Sequence, residues 1–154
     1  MPTEEAVGHY ERAIDLCMAA PGEGPEHERA MRNAASELLL AVKKACGPYP
    51  QAHGRLAMIF LDLGDQRRMK EHVDLALQQD PHEFNARGTC VFVALNEYRE
   101  SDGLHSLDVE GMLGAMFRSA KASGTQRALA RELQAFSEAF HQLIARDPDV
   151  ATWL

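Results

Sequence analysis

The chain has few groups suited to metal or disulfide chemistry. Its three cysteines, Cys17, Cys46 and Cys90, stand far apart with no Cys-x-x-Cys pair, and none of its seven histidines lies three or four residues from another on one helix. That spacing excludes a local zinc site and a disulfide framework and leaves the cysteines as buried, reduced thiols. Aromatic residues make up 6% of the chain, and sixteen basic residues face twenty-three acidic ones for a net charge of −7. A nucleic-acid or anionic-membrane surface needs the opposite sign, because phosphates demand a basic field. Long apolar runs are missing too: Leu38 to Val42 and Cys90 to Leu95 fall far short of the roughly 20 residues of a membrane helix. An acidic start and an apolar stretch interrupted at Gly8, His9 and Glu11 give no export signal, so a cytoplasmic location is expected. Serine-elbow, phosphate-loop and HExxH motifs are absent, as are Asn-Gly hairpin turns.

What remains is helix. Apolar content of 45% over 154 residues suits a single domain spanning residues 1–154. Thr3 is placed to cap a first helix reaching about Ala20, with Glu4 and Glu5 at the positive end of its dipole. Pro21, Gly22 and Gly24 stop it, and Pro25 opens a second helix to about Cys46 with a stripe of Met31, Ala34, Ala35, Leu38, Ala41, Val42 and Ala45. Helices over about 51–63 and 66–79 flank Gly64-Asp65, a link too short for anything but an antiparallel hairpin. A fifth helix runs from Asp80-Pro81 to about Tyr98. A sixth starts at Ser106 or Asp108 and carries Val109, Met112, Leu113, Met116 and Phe117. A seventh opens on a Ser123/Gln126 capping box and shows Leu129, Leu133, Phe136, Phe140 and Leu143 at spacings of four, three, four and three.

One segment, Pro50 to Glu83, follows a known pattern. Leu56 and Ala57 are adjacent on its first helix, Phe60 comes a turn later, Gly64 stands at the turn, Ala76 on the second helix and Pro81 at the close of LALQQDP. In length and in these positions it resembles a tetratricopeptide repeat (TPR). His53 stands where that family prefers an aromatic, and Met69 and Val73 replace its usual alanine and aromatic. Extending the register places Cys90, Val91 and Ala94 in a partial second unit over 84–98, while residues 1–47 and 106–154 are atypical ends. In that register Ala6, Tyr10 and Ala13 have the spacing of a second helix of a pair. The resemblance implies an all-α fold of antiparallel hairpins stacked as a short right-handed α-solenoid, with about seven helices.

It also implies a role. TPR stacks line a concave groove with the first helix of each pair, which here nominates Gln51, Gly54, Met58, Leu61 and Asp62, then Asn85, Gly88, Phe92, Leu95 and Asn96. A mixed apolar and amide groove of this kind suits a peptide or helix of a partner protein. Chaperone-binding members of the family hold a C-terminal carboxylate with a basic clamp; Gly54, Met58 and Gly88 occupy those places here, which argues against that ligand. The expected function is thus a non-catalytic protein-interaction module with no cofactor or metal, binding neither nucleic acid nor membrane. Two alternatives stand beside it. The seam Leu129, Leu133, Phe136, Phe140 and Leu143 either caps the stack or forms a homodimer, and a cluster assembled only in three dimensions would make a helical enzyme or small-ligand binder. The basic residues Arg67, Arg68 and Lys70, and Arg118, Lys121, Arg127 and Arg131, read as solvated helix faces.

Overall fold

A computed structural model describes residues 1–101 and 124–146. The described residues are all helical and contain no strand. Six helices appear among them: α1 (Glu4–Ala19), α2 (Pro25–Lys44), α3 (Pro50–Asp62), α4 (Gln66–Gln79), α5 (Phe84–Ser101) and α6 (Gly124–Arg146). The helix expected from Ser106 or Asp108, and the terminal Trp153 and Leu154, lie outside the described residues. The chain divides into two compact units, Met1–Thr89 and Cys90–Leu154.

In the first unit each of the first three helices packs on the next, α1 on α2, α2 on α3 and α3 on α4. The boundaries follow from local chemistry. Thr3 caps α1: its hydroxyl oxygen accepts from the Ala6 N–H at 3.1 Å and its O–H donates to the Lys44 carbonyl at 2.7 Å, tying the start of α1 to the end of α2. Thr3→Ala removes both bonds and is expected to lower stability by about 1 kcal/mol in urea denaturation. Pro25 occupies the first turn of α2, where its missing N–H costs nothing. At the far end of α2 the left-handed residue is Cys46, with φ 55°, one position before Gly47. Gly64, with φ 77°, closes α3, and the Asp65 N–H reaches back to the Phe60 carbonyl at 2.9 Å. Asp65 then caps α4 by accepting from the Arg68 N–H at 3.1 Å.

The core is built from small residues where helices cross and larger ones around them. Ala6, Ala13, Ala34, Ala41, Ala52, Ala57 and Ala76 are fully buried, with Leu38 and Leu56 the largest closed-off aliphatic side chains. Tyr49, in the α2–α3 link, is buried against Tyr10 of α1 in a stacked pair 5.5 Å apart, and its N–H donates to Gln79 Oε1 at 2.9 Å. Burial pushes the Tyr49 hydroxyl up to about 12, so it stays protonated.

In the second unit, α6 shows the expected stripe. Leu133, Phe136, Phe140 and Leu143 are half-buried, and Ala139 between them is fully buried. The side chain of Leu129 lies outside the described residues.

Candidate functional site

The first unit contains a cavity of about 220 Å³ walled by three helices. From α1 come Ala13, Ile14 and Cys17; α2 supplies the floor with Met31 and Leu38; α3 contributes Met58 and Ile59. This lining is almost wholly apolar. Three polar side chains interrupt it: Arg55, His27 and Asp62. Its volume lies below the roughly 300–1,000 Å³ of pockets that enclose a drug-sized ligand, and suits one or two side chains entering from outside.

Each polar group is held by identifiable contacts. His27 Nδ1 lies 2.6 Å from the Pro21 carbonyl and its Nε2 lies 2.6 Å from Asp62 Oδ2. Both partners are acceptors, so both ring nitrogens must donate, and the side chain is an imidazolium. The bond to Asp62, followed by that to Pro21, raises its pKa. His27 and Asp62 also line a second, more polar cavity of about 330 Å³ with Gly22, Glu23, Gly24, Glu28 and Leu63, so this ion pair stands between the two. Arg55 is half-buried, and its Nε donates to the Tyr10 hydroxyl at 3.4 Å. The ring stack with Tyr49 fixes that hydroxyl.

Cys17, His27 and Asp62 share one cavity and have the composition of a nucleophile, a base and an orienting acid. Their connections differ from such a triad. Both nitrogens of His27 are spent on acceptors, leaving none to take a proton from the thiol. Burial raises the pKa of Cys17, outweighing the lowering effect of Arg55, so the thiol stays protonated. The expectation that all three cysteines are buried also needs correcting: Cys17 and Cys90 are half-buried and Cys46 is exposed, and none of the three is in a disulfide.

A second cluster lies between α3 and α4. The rings of His53 and His72 stack at 5.3 Å with their Nδ1 atoms 3.0 Å apart, Phe60 stacks on His72 at 5.5 Å, and Arg68 sits over Phe60 at 5.5 Å. One Nδ1 must donate and the other accept, which forbids charging both rings. Burial, helped by the neighbouring His72, pushes His53 down to about 4, and burial also lowers His72. No group of three or more metal-ligating side chains gathers among the described residues.

Of the groove residues nominated from the sequence, Met58 and Asp62 line the cavity. Gln51 is exposed and Leu61 half-buried. Gly54 is buried beneath the carboxylate of Glu83. Asn85 accepts the Thr89 hydroxyl at its carbonyl, Gly88 is half-buried, and Phe92 and Asn96 belong to the second unit. The side chain of Leu95 lies outside the described residues. Ile14, Cys17, His27 and Arg55 were not nominated from the sequence. The spacing Arg55–Met58–Asp62 places those three on one helical face, and that face was the available signal. No helix of the described residues is long and apolar enough to cross a membrane. No protein-family model, curated protein or solved structure matches the chain.

Proposed function

We propose that the protein is a TPR-like, non-catalytic interaction module whose first unit binds a helical segment of a partner protein between α1 and α3, over α2. The observation that carries this reading is the apolar cavity itself, lined by the first helix of each of two successive hairpins and floored by the helix between them. In a short solenoid of such hairpins this is the concave side, and an amphipathic helix laid there would bury its apolar anchors against Ile14 and Met58. Met58 is 44% exposed although it borders an apolar cavity, as expected of a side chain that completes its packing on a partner.

The test is selection of helix-forming peptides from a randomised library on the immobilised protein, followed by fluorescence anisotropy with the selected peptides. Ile14→Glu and Met58→Glu are each expected to weaken binding about tenfold while leaving the circular dichroism melt in place. Undiminished affinity in both variants would remove the site from this groove.

A further inference from the structure

We infer that the occupant of the α1–α3 groove is an amphipathic helix carrying an Asp or Glu on its apolar face, and that this carboxylate pairs with Arg55. The inference rests on the groove reading above and adds the chemistry of the partner.

Arg55 differs from the arginines around it. Arg12, Arg32, Arg67 and Arg68 are surface side chains, each with a carboxylate at 3.4, 2.7, 3.4 and 3.5 Å respectively. Such exposed pairs contribute little to stability. Arg55 is half-buried in an apolar wall, where a cation gains most from an anion, yet among the described residues no carboxylate lies within ion-pair distance of it. Its one hydrogen bond, to the Tyr10 hydroxyl at 3.4 Å, uses Nε alone and leaves the two terminal nitrogens for a bidentate acceptor.

The neighbouring anions are already committed. Asp62, in the same cavity, is bonded to the His27 imidazolium at 2.6 Å, which cancels its charge locally. Glu83 accepts the Ala86 N–H at 2.7 Å and lies over Gly54. The charged side chains lining the cavity, Arg55, the His27 imidazolium and Asp62, thus sum to one positive charge, which the Glu83 carboxylate outside the lining attracts without coming within ion-pair distance, in a chain whose net charge is −7. That local reversal of sign selects an acidic occupant and rejects a basic one. A helix between α1 and α3 presents side chains rather than its terminus to the wall, so the carboxylate belongs to an internal residue. A helical face with apolar anchors at i, i+3 and i+7 has room for it at i+4.

The experiment uses the whole chain and a library of helix-forming peptides with apolar anchors, in which the i+4 position is varied among Glu, Asp, Gln, Ala and Lys. Wild type is expected to enrich Glu or Asp at least tenfold over Gln and Lys. Arg55→Met keeps the aliphatic stem and is expected to bind the same anchors without acid preference, whereas Arg55→Lys keeps a reduced preference. Equal enrichment of Glu and Gln on wild type, or an acid preference that survives in folded Arg55→Met, overturns the pairing while leaving the groove in place. Selection that yields no peptide sensitive to Ile14→Glu overturns the groove reading and this inference with it.

Discussion

At pH 5, His53→Phe is expected to be about 2 kcal/mol more stable than the wild type, although the two are nearly equal at pH 7.5. The effect comes from the wild type. His53 has an ordinary histidine pKa in the unfolded chain but one of about 4 in the folded protein. A group depressed in this way contributes its full stability above pH 6.5 and loses it as pH falls toward 4, because the unfolded state binds the proton first. Phenylalanine keeps the ring stack on His72 and has nothing to protonate. The Nδ1 of His72 loses a partner, but this ring is only half-buried, so water can replace it. Comparing the two proteins also isolates His53 from His27. The pKa of His27 is raised, so its contribution is present below pH 6.5 and is lost as pH rises, opposite in sign and common to both proteins. Urea denaturation at pH 5, 6 and 7.5 measures the difference. Parallel pH profiles for the two proteins would mean that His53 titrates as an exposed histidine does.

The aromatic stack shows which parts of this structure were written in the sequence. His53 and Phe60 lie two turns apart on α3, and Arg68 and His72 one turn apart on α4, so each pair shares a face once the Gly64-Asp65 turn sets the hairpin. The turn, the caps Thr3 and Asp65, and the proline starts of α2 and α3 depend on residues close in sequence, and the helix limits were legible to within a few positions. The groove was only partly so. Met58 and Asp62 were nominated through the resemblance of α3 to the first helix of a TPR, but which further residues join them depends on where α1 lies, and α1 is separated from α3 by the whole of α2. Arg55 reads locally as an ordinary helical arginine between a glycine and a leucine. Its significance lies in the carboxylates that do not reach it and in a Tyr10 hydroxyl 45 positions away. The His27–Asp62 bond spans 35 positions and has no local signature either.

Gly54→Ala is expected to destabilise the wild type by about 1 kcal/mol and to stabilise Glu83→Ala by about the same amount, a coupling of about 2 kcal/mol. Within a helix, replacing glycine by alanine ordinarily gains about 1 kcal/mol from the restricted unfolded backbone. At Gly54 that gain is opposed by contact. A Cβ there would stand 1.9 Å from Glu83 Oε2 and 2.5 Å from its Cδ, distances no pair of atoms sustains. The Glu83 side chain must move, yet it is 4% exposed and its Oε2 accepts the Ala86 N–H at 2.7 Å, capping α5. Displacing it leaves that N–H without its acceptor, at a cost of about 1 kcal/mol, and disturbs the packing around the buried carboxylate for about as much again. Removing the Glu83 carboxylate first eliminates both terms and leaves the propensity gain alone. The cycle is measured at pH 7 by urea denaturation of the four proteins. A destabilising Gly54→Ala in both backgrounds would place the obstruction elsewhere, and a stabilising one in both would mean that the carboxylate yields freely. Only the change of sign ties a glycine inside α3 to a capping carboxylate that the chain reaches after the end of α4.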